Sequence, residues 1–290
     1  MSSKTTWTIK QLLRWTTDFL RARGAASPRL DAEVLLAHAR NCQRIELYTA
    51  YREPASDELR AKFRDLVRRR AEGTPVAYLV GYREFYSLPF FVSPDVLIPR
   101  PETEHLVVTV LDLAKAMRPN VVIADVGTGS GIIAVCCATF LTEARIWATD
   151  SSSTALAVAA RNVARHTCAD RVTLLAGDLL EPLPPDQHLD IIASNPPYVS
   201  RAEYEELAAD VKNHEPREAL LAGPRGTEVI DRLIPRAAAR LNPDGWLVLE
   251  HSPMIAAQVA AALEQNGSFH DVETIPDLAG HPRVTQARRK

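Results

Sequence analysis

No apolar run in this 290-residue chain approaches the ~20 residues that would cross a bilayer. The opening MSSKTTWTIKQLLRW lacks the unbroken apolar core of a secretory signal. The chain has only four cysteines, Cys42, Cys136, Cys137 and Cys168, at no spacing that suits a metal or a redox pair. Cys136 and Cys137 sit in an apolar stretch, where small buried thiols are expected. No His- or Cys-based pair stands out as a nucleophile with its base. These absences argue against a membrane span, a disulfide framework and nucleophilic cysteine chemistry, and they favour a cytoplasmic protein with reduced thiols. What remains is an ordinary globular composition, 46% hydrophobic and 24% charged, enough for one large domain or a small and a medium one.

Charge is uneven. Residues 1–95 carry 16 Lys and Arg against 11 Asp and Glu, whereas the remainder carries 18 against 25. A basic N-terminal part beside an acidic C-terminal part suggests two units with different duties. The run RDLVRRRAEG fits either a solvated helix face or docking near nucleic acid or a ribosomal partner.

The two parts also differ in period. Up to about residue 75, apolar residues recur at helical spacing: Ile9, Leu12, Leu13, Phe19 and Leu20, then Leu30, Val34 and Leu35, then Leu59, Phe63, Leu66 and Val67. Ser27–Pro28 and Ser56–Asp57–Glu58 supply helix starts. Prolines 89, 94, 99 and 101 among aromatics predict a hairpin and an extended linker over 76–101. From Val121 onward VVIADVG, RIWATD, RVTLLAGD, LDIIASN and GWLVLEH alternate with helical stretches, and HDVETI and RVTQAR are late strand candidates. Such alternation implies a mostly parallel sheet with helices on both faces, whose ligands bind beyond the carboxyl ends of the strands. The expected division is a helical domain over 1–75, the hairpin and linker over 76–101 and a catalytic domain over 102–290.

Three acids stand at three successive strand ends. The first strand closes in DVGTGSG, where Gly127, Gly129 and Gly131 let the backbone turn beside a ligand and Thr128 and Ser130 fill the turn. A nicotinamide fingerprint would want glycine at 132, which is isoleucine. Asp125 suits a ligand bearing an ammonium or sulfonium cation better than a pyrophosphate. Asp150 can accept from both ribose hydroxyls, a feature that NAD and S-adenosylmethionine share. At the third strand end, Asp178 is placed to meet an adenine amino group with Leu179 against the ring.

The fourth strand ends in SNPPYV, where two prolines remove two donors and stop the strand. Here the chain resembles the class I S-adenosylmethionine-dependent methyltransferases, an α/β Rossmann-like fold with a mostly parallel sheet. Within them it resembles the HemK/PrmC family of release-factor glutamine methyltransferases. The segments REFYSLPFFVSPDVLIPRPETE (83–104), DVGTGSG, SNPPYV, HEPREALLAGPRG (214–226), LEH and VET carry the resemblance in order. It implies S-adenosylmethionine as cofactor and, as target, the glutamine of the Gly-Gly-Gln loop in class I peptide chain release factors. It implies that Asn195 accepts one amide N–H through its side-chain carbonyl and that the Pro196 carbonyl accepts the other. Pro197 completes the rigid corner, and Tyr198 can lay its ring against the flat amide. Glutamate would leave both acceptors unpaired, at ~1–3 kcal/mol each. Phe85, Pro99, Arg100, Pro101 and Glu102 match the family's linker beside the pocket, with Arg100 and Glu102 contacting ligand or pairing with each other. His214, Glu215 and Pro216 resemble a loop at the substrate mouth. Where many relatives have glycine after LEH, Ser252 and Pro253 stand here.

The expected protein is a monomer whose basic helical bundle recognises the release factor, with neither a membrane nor a specific nucleic-acid sequence as partner. Two rivals share parts of this pattern. Nucleic-acid amino methyltransferases also present Pro-Pro-aromatic corners, but they hold a flipped base against a basic surface, and the catalytic part here is acidic. A silent docking module would have no need of an intact DVGTGSG, Asp150 and NPPY.

Overall fold

The computed structural model describes residues 7–290, which fall into two compact units. The first holds the described residues up to Gly81 together with Ala209–His214, and the second holds Tyr82–Ala208 and Glu215–Lys290.

In the first unit the helices are α1 (Ile9–Ala22), α2 (Pro28–Arg40), α3 (Arg44–Thr49), α4 (Asp57–Ala71) and α5 (Val76–Val80). Thr8 and Gln11 close a reciprocal cap on α1, and the Ser56 hydroxyl accepts the Leu59 N–H to start α4. Ile9, Leu13, Leu20, Leu35, Leu36, Leu47, Phe63 and Val67 form the core. On α2 the expected stripe is shifted: Leu35 is buried as expected and Val34 packs against the core, but Leu30 is 45% exposed, and Ala32 and Leu36 join the buried face. A short apolar-rich helix offers two neighbouring i, i+4 rows, and packing selects one. The unit also extends past 75, because Pro75 presets a helical start and Gly81 closes α5 in the left-handed region at φ 77°. Val76–Val80 is therefore helix, not hairpin.

The second unit begins with the hairpin β1 (Tyr82–Phe85) and β2 (Leu88–Phe91), then α6 (Thr103–Lys115). Its alternating part runs β3 (Val122–Val126), α7 (Ile132–Phe140), β4 (Arg145–Asp150), α8 (Ser153–Arg165), β5 (Val172–Ala176) and β6 (Leu189–Ser194). There follow β7 (Val199–Ser200), α9 (Arg201–Glu206), α10 (Ala209–His214, counted in the first unit), β8 (Leu221–Gly223) and α11 (Glu228–Arg240). β9 (Leu241–Glu250), α12 (Ala256–Asn266), β10 (Phe269–Pro276) and β11 (Pro282–Arg289) close the chain.

One seven-stranded sheet has the order β10-β11-β9-β6-β3-β4-β5. β9 to β5 run parallel, and β10 and β11 add an antiparallel edge. Side chains alternate between two cores. Ile123 and Ile191 join α6 and α7 in one, while Ala124, Val126 and Ile192 join α11 and α12 in the other. With both faces covered, the exits of β3, β4, β5 and β6 along one rim are the places left for chemistry. No described helix is long and apolar enough to span a membrane.

Candidate active site

The turn after β3 is left-handed at Gly127 (φ 73°) and Gly129 (φ 55°), backbone that a β-carbon disfavours. Beneath it lies Asp125, fully buried. Its Oδ2 accepts the Thr128 hydroxyl at 2.6 Å and the Ala134 N–H at 3.0 Å. Its Oδ1 is buried without a partner, and burial pushes the carboxyl up to about 7. Asp125 therefore ties the turn down and does not line the cavity, contrary to its expected place beside a cationic ligand. Strand alternation is the reason. Ala124 and Val126 face the α11–α12 core, so residue 125 is directed under the turn toward α7.

Above the turn is a cavity of about 750 Å³, lined by Gly127, Thr128, Gly129, Ser130, Asp150, Asp178, Leu179, Asn195, Pro196, Pro197 and Arg100. Asp150 takes the Gly129 N–H on Oδ2 and the Ser152 N–H on Oδ1, each at 2.9 Å. Each oxygen keeps a lone pair for a ligand hydroxyl. Asp178 is already engaged. Its Oδ2 pairs with Arg232 and, at 2.8 Å, with Arg236 of α11. Burial opposes its ionisation, but the two guanidiniums outweigh that and hold the carboxyl below its ordinary value. A free carboxylate awaiting adenine is thus not what stands at 178.

Besides Asp125, three expected site residues lie outside the lining. Gly131 caps α7, and a β-carbon there would come within 3.3 Å of Ala159 on α8. Phe85 is a core residue at 2% exposure, edge-on to Phe90. Tyr198 is half-buried and faces Glu250.

The corner after β6 is braced from several sides. The Ser194 hydroxyl donates to the Val126 carbonyl at 2.7 Å, tying β6 to β3 at the rim. Asn195 Nδ2 donates to Thr103 Oγ1 at 3.1 Å, and Asn195 Oδ1 has no partner among the described residues. Thr103, at the start of α6, is fully buried. The Tyr198 hydroxyl donates to Glu250 Oε1 at 3.4 Å, while Oε2 is buried without a partner. Burial raises both groups, Glu250 to about 7 and the Tyr198 phenol above its usual value. On the far side β7 pairs with β8, and Gly226 (φ 88°) passes so close that a β-carbon would sit 2.7 Å from the Tyr198 carbonyl oxygen. The segment 221–226 thus holds the corner's shape.

Arg100 pairs with Glu215 at 2.5 Å, not with Glu102, and Glu215 also accepts the Ile98 N–H at 3.2 Å. Glu215 thereby fixes the strap that forms one cavity wall. His214 belongs to the first unit, its ring against Gly73. Ser252 caps a short turn that Pro253 begins. Thr103 and Glu250 escaped the sequence reading although both fall inside quoted segments, PETE and LEH. A threonine before a helix and an acid ending a strand have ordinary explanations, and only the fold brings them together.

Two family models match, the PrmC N-terminal domain over residues 11–81 and the methyltransferase small domain over residues 104–223. The release factor glutamine methyltransferase of Rhodopirellula baltica is 53% identical, covering 99% of this chain and 98% of that one. The one from Koribacter versatilis is 40% identical over 97% and 99%. The chain belongs to the release factor glutamine methyltransferase family. The fold is independently similar to the hMettl16 catalytic domain (TM-score 0.57, 17% identity, covering 76% of this chain and 80% of that one). It is also similar to the T. thermophilus 16S rRNA N2 G1207 methyltransferase (TM-score 0.53, 18%, 72% and 50%). At such identities these two show the class I methyltransferase architecture and no more.

Proposed function

We propose that the protein transfers a methyl group from S-adenosylmethionine to the side-chain amide nitrogen of the glutamine in the Gly-Gly-Gln loop of class I release factors. The observation that carries this reading is the Asn195 amide. Its nitrogen is spent on Thr103 and its oxygen is unpartnered, in the cavity that Asp150 and the glycine turn also line. Family membership over nearly the whole length supports the substrate.

The cofactor fits the residues present. The turn offers close backbone approach, and Asp150 keeps acceptor capacity for a ribose. When bound, it supplies an electrophilic methyl on a sulfonium. Gly127–Ser130, Asp150 and Leu179 would hold it, with Asp178 contributing through the arginine-bound rim.

An amide nitrogen attacks poorly because its lone pair is shared with the carbonyl. Asn195 Oδ1 and the Pro196 carbonyl accept its two hydrogens and orient that lone pair. Pro196 and Pro197 add no competing N–H, and their fixed φ holds the acceptor. With the cofactor bound, the oriented nitrogen would take up the methyl it supplies, the sulfur keeping the electrons of its former bond, and the surplus amide proton would leave to water, so the chain needs no general base. Tyr198 shapes the corner, and Arg100, locked by Glu215, borders the substrate mouth. The N-terminal helical unit serves recognition of the release factor, a cytoplasmic task. The test is mass spectrometry of a release factor incubated with enzyme and labelled cofactor. One methyl on the Gly-Gly-Gln glutamine is expected, and modification elsewhere or none overturns the reading.

A further inference from the structure

We infer that the cleft between α1 and α4 is where the helical unit takes hold of the release factor, and that it receives a segment presenting an apolar side chain flanked by carboxylates. The inference rests on the proposed release-factor substrate and deepens it by naming the docking face and the chemistry that face selects. On α1, Trp15, Phe19 and the capping Arg23 follow one another at intervals of four and form one ridge. On α4, Arg60, Arg64 and Arg68 form a second ridge with the same spacing. Between the ridges lies a cleft of about 470 Å³, floored by the buried Leu12, Phe63 and Val67. A cleft of that size takes a large apolar side chain.

The aromatic ridge is open yet already ordered. Trp15 is 51% exposed, its ring stacks on Phe19 with centroids 5.0 Å apart, and the Arg23 guanidinium lies 5.1 Å from the Phe19 ring centre. Rigid exposed aromatics beside arginines are the groups that anchor partner proteins. Charge says which partner. The lining carries four arginines, Arg23, Arg60, Arg64 and Arg68, against one acid, Glu72. Arg64 forms no ion pair among the described residues, so its guanidinium is available to a partner's carboxylate. Thr16 Oγ1 and Arg60 Nε, on two lining residues, are buried without a hydrogen-bond partner, and a polar group of an entering chain would satisfy them. A nucleic-acid strand fits worse. Arg60 pairs with Asp57, and Arg68 pairs with Asp65 at 2.6 Å and Glu72 at 3.5 Å, so acids along the arginine ridge would meet its phosphates.

The experiment measures, by calorimetry, the Kd of the whole enzyme for a whole release factor. Beside it stand kcat and KM for that substrate and for a short peptide carrying Gly-Gly-Gln. In Trp15→Ala, Kd and KM for the release factor should rise roughly 10- to 100-fold, the scale of an aromatic hot spot. The cleft belongs wholly to the first unit, so saturated kcat, cofactor affinity and peptide turnover should stay near wild type. Arg64→Glu, an exposed change on a helix surface, should weaken release-factor binding about 10-fold and flatten its salt dependence. Wild-type affinity in either variant overturns the inference, as does an equal loss of peptide turnover. Should Trp15→Ala not fold, the Arg64→Glu result decides alone. Variants that lose RNA binding or self-association while keeping release-factor affinity give the cleft another occupant and overturn it too. A wild type that binds the release factor without methylating it brings down the earlier reading, and the calorimetry still decides this one.

Discussion

Two carboxyls lie buried at the rim of the sheet, Asp125 under the glycine turn and Glu250 under the proline corner, and burial pushes both up to about 7. Each accepts a hydroxyl on one oxygen, Asp125 from Thr128 and Glu250 from Tyr198, and keeps the other oxygen without a partner. Their reach differs. Asp125 binds Thr128 and Ala134, three and nine residues along the chain, so it braces a local turn. The corner gathers groups that are far apart: Glu250 accepts from Tyr198, 52 residues away, and Asn195 donates to Thr103 across a separation of 92. On the proposed function, a turn that would hold cofactor is built from one contiguous motif, whereas a corner that would present one oxygen to a foreign amide draws on several strand and helix ends.

The sharpest way to break this comparison is to strip the corner and leave the turn. Asn195→Ala should lower methyl transfer on the order of 10³-fold, the scale of losing a preorganised polar contact to the reacting group. Cofactor affinity, measured by calorimetry, should stay within a few-fold of wild type. Joint loss of both would mean that corner and turn are one binding site. The converse variant, Asp150→Ala, should weaken cofactor binding by roughly 10- to 100-fold through lost hydroxyl contacts. Saturating cofactor should restore much of its kcat. A kcat defect that survives saturation would assign Asp150 to the chemistry.

What could be read in advance follows the same division. The alternation from Val121 onward, the parallel sheet and the turn after β3 were legible because each depends on residues close in sequence. The late strands 269–276 and 282–289 were legible for the same reason. Asp125 was misplaced because an acid before a glycine turn reads alike whether its side chain faces ligand or core, and strand parity becomes visible only once the two faces are known. Arg100 found Glu215, 115 residues on, instead of its neighbour Glu102. Asp178 found two arginines of α11, 54 and 58 residues on. Long-range pairing has no local signature, and Thr103 and Glu250 stayed hidden for that reason.

A smaller effect tests whether the carboxyl under the turn is structural. Its value is raised from 3.8 to about 7, so the folded protein holds a proton there that the unfolded chain has released. Folding stability from Asp125 is therefore greatest below about 3.8 and declines as pH rises through about 7. Glu250 acts in the same direction from 4.5 to about 7. The thermal midpoint of the wild type should accordingly carry a downward component between about pH 4 and about pH 7. Asp125→Asn stays neutral throughout and can still accept the Ala134 N–H through its carbonyl. That variant should flatten the decline by a few degrees, roughly the 2–4 °C that each kcal/mol moves a domain of this size. Its cofactor affinity should change far less than that of Asp150→Ala. An unchanged slope in Asp125→Asn would mean that the carboxyl is already ionised in the folded state, and the turn would then be held by a charge rather than by a buried acid.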